Sequence, residues 1–360
     1  MDETIELLAR LVEVDSVNPD LVPGGAGEGA IASFVEAWAA AHGLAAVRLE
    51  ATRGRPSVVV RAPGRGDGRT LLLCGHLDTV GVGGMAGDPF APRIEGDRLY
   101  GRGAYDMKAG LAAALVACRR AAALDLAGDV VVACVADEEH ASLGVQEVLE
   151  SVWADAAIVT EPTGGEVIVA HKGFVWGELT FRGRAAHGSR PDEGVDAIAA
   201  AGPALVRLAD LDARMRVDPL LGRGSIHASL IRGGVELSSY PGECVLAVER
   251  RTLPGETRAQ VEAELAALGA DATRTLLVRE PFAIDPEHAF VRLVRRAAGG
   301  APVAGAAYWT DAAFIAAAGI PAVLYGPGGE GAHADVEWVS LSDTAAVTNT
   351  LVTVAQEFCA

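Results

Sequence analysis

Leu71-Leu72-Leu73-Cys74 is an apolar run that breaks off at Gly75-His76-Leu77-Asp78-Thr79-Val80. Four to eight aliphatic residues ending at a small one read as a strand buried on both faces, the kind found in parallel sheets covered by helices. Such a strand commits the chain to an α/β architecture and puts His76 and Asp78 at its carboxyl end, where open α/β sheets hold their ligands. In extended backbone residues i and i+2 point the same way, so the two side chains can share one site. One pairing has His76 hold a metal ion while Asp78 orients the ring. The other is a strand-end His bonded to a neighbouring loop.

The arrangement recurs. Val130-Val131-Val132-Ala133-Cys134-Val135-Ala136 ends in Asp137-Glu138-Glu139-His140, and Ala156-Ala157-Ile158-Val159-Thr160 ends in Glu161-Pro162-Thr163. Three adjacent acids repel one another, so they need a positive partner or water. Pro321-Ala322-Val323-Leu324-Tyr325 leads through a glycine-rich loop to His333, and Asp106 sits at a turn before a long Ala-rich helix. Alone, Asp106 reads as a helix N-cap. The Gly101-Arg102-Gly103 beside it fails as a dinucleotide fingerprint, because the third glycine is out of register and no ribose-binding acid follows.

Helical periodicity covers 4–14, 28–42, 287–298, 310–318 and 342–357. Between Val167 and Val278 the pattern changes: Gly177–Gly183 and Val245–Arg251 alternate like half-exposed strands, with helical segments at 194–210 and 257–268. The expected fold is α/β, with a mixed, mostly parallel sheet flanked by helices over 1–171 and 280–360. An α+β domain of four antiparallel strands and two helices is inserted at 172–279, and its exposed strand edges suit dimerisation.

At 360 residues, two lobes are expected. Thirty basic against 48 acidic residues give 30 − 48 = −18, which excludes a duplex-binding surface and so a nucleic-acid partner. The five scattered cysteines form no CxxC pair and read as reduced core thiols. The first residues resemble an amphipathic helix with no signal peptide, and no stretch of about twenty apolar residues suggests a membrane span. A cytoplasmic protein is expected.

His76, Asp106, Glu139, Glu161 and His333 thus all fall where a doubly wound sheet gathers side chains on one rim. Two imidazoles and three carboxylates suit a pair of divalent ions of the zinc type, with one carboxylate bridging. Glu138 adjoins a ligand but projects differently, free to act as a base.

These stretches, together with Gly101–Gly110, Ala186-His187-Gly188-Ser189-Arg190-Pro191 and Gly326-Pro327-Gly328, resemble the M20 family of binuclear zinc amidohydrolases and metallopeptidases over almost the whole chain. The resemblance implies that Asp106 bridges two metal ions, with His76 and Glu161 completing one site and Glu139 and His333 the other. It implies zinc, replaceable by cobalt or manganese, Asp78 orienting His76, and a cis bond between Asp106 and Met107. Glu138 is then the general base for attack on an amide carbonyl. His187 matches the family histidine that stabilises the oxyanion from the partner subunit of a homodimer joined through the inserted domain. Arg251 matches the arginine that grips a substrate carboxylate, and Gly328 falls in the substrate-binding loop. For His187 the alternative is a loop histidine on an exposed edge, and for Arg251 a sheet-surface arginine paired with an acid.

Two positions depart from the family: Ser238 stands where many members have Asn, and Glu249 where an Asp is common. Thr160-Glu161-Pro162-Thr163 is closer to the deacetylase and desuccinylase branch than to the dipeptidases. The expected function is hydrolysis of an N-acyl amino acid or related small amide. The alternatives are an exopeptidase of the same family and a silent relative that binds amino acids.

Overall fold

The computed structural model describes residues 2–360, and the chain divides into two compact units. The first comprises the residues up to Val169 with Ile284–Ala304 and Thr310–Ala360; the second is Ala170–Ala283 with Gly305–Trp309. The inserted segment expected at 172–279 did not include Gly305–Trp309, five residues that return to the second unit from far along the chain.

The first unit is built on β1 (Ala45–Leu49), β2 (Ser57–Ala62), β3 (Leu71–His76), β4 (Val130–Val135), β5 (Ala156–Val159) and β6 (Val167–His171), of which β6 ends in the second unit. A late strand, Ala322–Leu324, joins them. The order is β1-β2-β4-β3-β5, then Ala322–Leu324, then β6. β4, β3, β5 and the late strand run parallel, and the outer pairings are antiparallel. β2 and β3 follow one another in sequence, yet β4 lies between them.

Every residue of β3 and β4 is buried, as strands covered on both faces must be. Leu71, Leu73, Val130, Val132 and Ile158 join one core with α1 (Glu3–Val12), α2 (Gly29–Ala41) and α3 (Ala109–Ala121), and with the closing helix Leu341–Phe358. α4 (Leu143–Leu149) packs on β4, and Ala312–Ala317 on the late strand. The parallel strands all end on one rim: His76 pairs in register with Val135, Cys74 with Val159, and Val159 with Leu324. A small sheet unseen in the sequence, ordered Gly329–Glu330, Trp338–Ser340, Arg98–Tyr100 and Arg93–Glu95, joins the chain before Asp106 to the chain around His333.

In the second unit β7 (Gly173–Arg182), β8 (Ser225–Gly233), β9 (Glu243–Thr252) and β10 (Ala272–Arg279) form an antiparallel sheet ordered β8-β9-β7-β10. α5 (Ala197–Asp212) and α6 (Arg258–Ala266) cover one face, burying Val175, Leu179 and Phe181. Asp196 caps α5, and Thr257 with Gln260 forms a capping box on α6. Among the described residues no helix is long and apolar enough to cross a membrane.

Candidate metal centre

Each rim residue is placed by a strand that ends beside its neighbours. His76 is the last residue of β3; Glu138 and Glu139 follow β4, and Glu161 follows β5. Asp106 is brought to them by an irregular turn between Gly103 and α3, and its peptide bond to Met107 is cis. The start of α3, just past that turn, packs so tightly that a Cβ on Gly110 would lie 1.8 Å from the Thr160 carbonyl oxygen. His333 sits in a loop with a left-handed backbone, φ 62°.

Asp106 stands between two imidazoles. Its Oδ1 lies 3.3 Å from His76 Nε2 and its Oδ2 3.3 Å from His333 Nε2. Glu161 Oε1 is 3.9 Å from His76 Nε2, and Glu139 Oε2 is 3.1 Å from His333 Nε2. The structure therefore gathers all five of the side chains expected at the rim. The two imidazoles differ in exposure, His76 being buried and His333 about half exposed.

The electrostatics record a crowd of carboxylates. Burial works against a charged His76, yet its hydrogen bond to Asp106 and the charges of Glu161, Glu138 and Asp78 hold its pKa well above the usual imidazole value. Hydrogen bonds to Asp106 and Glu139 raise His333 to about 10. Burial would raise Asp106, but the two imidazoles hold it well below the carboxylate range. Burial, with Asp106, Asp311 and Glu139 nearby, pushes Glu161 up to about 8 against the pull of His76. Burial and Glu161 push Glu138 well up, and burial and Asp106 raise Glu139. Such a cluster is relieved by cations, and its donors suit them: imidazole nitrogens and carboxylate oxygens are the ligands of zinc-type ions. His76, Asp106 and Glu139 offer atoms all within 4.8 Å of one another, and Glu139 Oε1 is buried with no hydrogen-bond partner among the described residues. The residues fit a pair of divalent ions.

Asp78 holds His76 differently from the expected carboxylate contact. His76 Nδ1 bonds the Asp78 main-chain oxygen at 2.9 Å, while the nearest carboxylate oxygen is 3.7 Å away. The carboxylate instead accepts the main-chain N–H groups of Glu138 at 3.1 Å and Glu139 at 3.2 Å, and Asn18 Nδ2 at 2.7 Å. Asp78 thus fixes the β4 loop as well as the imidazole. Its carboxylate goes to the loop because two adjacent N–H groups turn toward it there.

Several contributors gave no sequence signal of their role. Asp137, the first of the three adjacent acids, pairs with Arg55 at 2.6 Å and accepts from Asn18 at 3.0 Å, and Arg55 also holds Asp20 and Glu28. Glu337 is buried and binds Arg102, which also reaches the Ala334 oxygen in the His333 loop. Asp311 is buried close enough to raise Glu138 and Glu161. Gly101-Arg102-Gly103 lies inside a motif, but Glu337 lies outside the motifs, and spacing alone says nothing of their contact.

His187 and Arg251 belong to the second unit. His187 is exposed on a short strand paired with Ser239, and its Nδ1 bonds Ser189 Oγ at 2.8 Å. Arg251 Nε donates to Glu249 Oε1 at 2.6 Å. A Cβ on Gly328, in the first unit, would meet the Asp343 carboxylate oxygen at 2.5 Å, so a larger residue there would have to displace that side chain.

The family model for peptidase family M20/M25/M40 matches residues 72–357. An acetylornithine deacetylase of Myxococcus xanthus is 31% identical over 343 residues, covering 88% of this chain and 85% of that protein. Aminopeptidase PepT of Bacillus cereus superposes with a TM-score of 0.82 at 22% identity, covering 100% of this chain and 99% of its own. YXEP of Bacillus subtilis, a dinuclear metal-binding peptidase, superposes with a TM-score of 0.75 at 17% identity, covering 99% and 97%.

Proposed function

We propose that this chain, which belongs to peptidase family M20/M25/M40 and is a hydrolase, cleaves the amide bond of an N-acyl amino acid with the help of two zinc ions. One observation carries the reading: the two carboxylate oxygens of Asp106 each face a different imidazole, with Glu161 beside one and Glu139 beside the other. Asp106 would then serve both ions, with His76 and Glu161 helping to hold one and Glu139 and His333 the other. The deacetylase among the relatives favours an N-acyl substrate. Removal of a terminal residue from a short peptide is the second reading.

When bound, the ions supply Lewis acidity to water and to the amide carbonyl. Glu138 takes the proton from the attacking water and returns it to the departing amine nitrogen, a task for a carboxyl group whose pKa burial has raised. Asp78 keeps Glu138 in place through its main-chain N–H. His187 donates to the oxyanion from a partner subunit, Arg251 binds the substrate carboxylate, and Gly328 leaves room for the substrate backbone. The second unit is the dimerisation domain in this reading. Five buried, reduced cysteines support a cytoplasmic setting.

The test is chelation followed by reconstitution. Hydrolysis of N-acetyl amino acids should vanish on metal removal and return with zinc or cobalt, and a panel of short peptides separates deacylase from exopeptidase. Full activity in a chelated protein would sink the reading. Loss of activity on dilution below the dimer's dissociation constant would support the role of His187.

A further inference from the structure

Asn18 has no part in the chemistry proposed for the rim, yet it is fully buried and bonded to two of the acids there. Its backbone is tied to the chain that follows β3. Asn18 N–H donates to the Thr79 oxygen at 2.9 Å, Thr79 N–H donates to the Ser16 oxygen at 3.0 Å, and Val17 and Thr79 form a parallel bridge. Its side chain crosses to the chain that follows β4. The amide nitrogen donates to Asp78 Oδ2 at 2.7 Å and to Asp137 Oδ1 at 3.0 Å, so its two hydrogens serve two different carboxylates. The partners fix which way the amide points: carboxylates only accept, and Asn18 Oδ1 takes the main-chain N–H of Asp20 at 3.0 Å.

The two acids it joins hold Glu138 in different ways. Asp78 accepts the N–H of Glu138 on Oδ1 and that of Glu139 on Oδ2, the oxygen that Asn18 also holds. Asp137 precedes Glu138 with a left-handed backbone, φ 67°, a conformation that needs support at a residue with a side chain. Its carboxylate is anchored by Asn18, by Arg55 Nη2 at 2.6 Å and by the N–H of Ala141 at 3.2 Å. Both acids are buried, and a buried carboxylate is costly without donors. Arg55 commits its three nitrogens to Glu28, Asp20 and Asp137. A neutral group with two hydrogens on one nitrogen bonds both acids without adding charge. Aspartate at this position would repel both, and serine carries a single hydrogen.

Given the hydrolysis proposed above, we infer that Asn18 is a positioning residue for that reaction: by clamping Asp78 to Asp137 it holds Glu138 where it passes the proton between water and amine. The inference rests on that reading through Glu138, whereas the clamp belongs to the folded chain whatever it catalyses. A loosened clamp lets the turn after β4 move, so Glu138 is less often in the reacting geometry. The loss then falls on kcat and leaves KM in place. Glu139 hangs from the same Asp78 oxygen, so activities are compared at saturating zinc.

Three measurements on the full chain test this. Asn18→Leu keeps a branched side chain and removes the donors. On N-acetyl-L-methionine, or L-alanyl-L-leucine if the chain proves an exopeptidase, its kcat should fall about 10- to 100-fold with KM within about threefold. Asn18→Ser, which keeps one donor, should lie between that variant and the parent, and it takes the place of Asn18→Leu throughout if the latter fails to fold. In a Glu138→Gln background the same substitution should cost no more than about twofold, because residues that act as one unit do not add. In the metal-free chain, hydrogen exchange over 136–142 should quicken about tenfold or more, the effect of losing a charged hydrogen bond, and stay within about twofold over β4. A kcat within about threefold of the parent's, a loss confined to KM, or a loss repeated in full without Glu138 would overturn the inference. So would a 136–142 segment that exchanges at the parent rate. If the parent cleaves neither amide, the hydrolase reading falls on its own, and exchange alone decides whether Asn18 clamps the turn.

Discussion

Glu337 accepts the main-chain N–H of Asp106 at 3.0 Å through one carboxylate oxygen, and that oxygen also takes the N–H of Tyr105 at 2.9 Å. The other oxygen receives Arg102 at 2.7 Å and the N–H of Gly103 at 3.0 Å. Four donors on one buried carboxylate hold the turn that presents Asp106. Arg102 extends the brace to the loop of His333 through the Ala334 oxygen at 2.9 Å.

Replacing Glu337 with Gln removes the charge that pairs with Arg102 and gives up part of this bonding, so the turn should loosen before the core does. Metal affinity, read by competition with a chromogenic chelator, should fall about 10- to 100-fold, the usual cost of losing a group that supports metal ligands. Affinity unchanged within about twofold would show that Glu337 is a purely structural acid.

Glu138→Gln keeps the side chain's shape but cannot move a proton. We expect kcat to drop by at least about 10²-fold with metal content unchanged by atomic absorption. A variant as fast as the parent would transfer the base role elsewhere.

The metal-free protein should lose stability as pH rises from the acid side. Glu161 is raised from 4.5 to about 8 and Glu138 and Glu139 are also raised, so each favours folding while protonated, and that contribution is lost as pH climbs from 4.5 through the folded value. His333, raised from 6.5 to about 10, acts in the same direction at higher pH. Lys108, lowered from 10.5 to about 7 by burial, opposes them above pH 7, so the loss is clearest between pH 4.5 and 7. Cations should flatten the profile by taking over the negative charge. Melting temperatures of metal-free and zinc-loaded protein, measured across that window, should diverge as pH rises, and parallel curves would contradict the charge crowding described here.

Two glycines give opposite expectations. Gly110→Ala drives a Cβ to 1.8 Å from the Thr160 oxygen, where backbone on both sides must shift, and should cost about 3 kcal/mol or more in urea unfolding. Gly29 opens α2 with nothing within 4 Å of its would-be Cβ, so Gly29→Ala should stabilise by roughly 0.5–1 kcal/mol. Similar midpoints for the two variants would refute the close approach of α3 to Thr160.

The rim was legible because each strand announces its own end: an aliphatic run stopping at His76, Asp137 or Glu161 needs only local pattern to read. The mixed sheet and the separate antiparallel sheet followed the same logic, whereas M20 membership was legible through the resemblance of the motifs to that family. What stayed hidden depends on distant pairing. Arg55 gathers Asp20, Glu28 and Asp137 from three segments, and one of these, Asp137, lies 82 positions away. No periodicity encodes such a meeting. The insertion of β4 between β2 and β3 is likewise a matter of crossover. The turn of the Asp78 carboxylate toward the Glu138 and Glu139 N–H groups depends on backbone directions that alternation does not specify.

Because Asp106 lends one oxygen to each imidazole, the two halves of the centre share a single fulcrum. Tilting that carboxylate toward His76 withdraws it from His333, so in a two-ion centre of the kind proposed a change meant to tighten one cation would loosen the other. Neither occupancy would then be tuned in isolation by altering Asp106 or the turn that carries it.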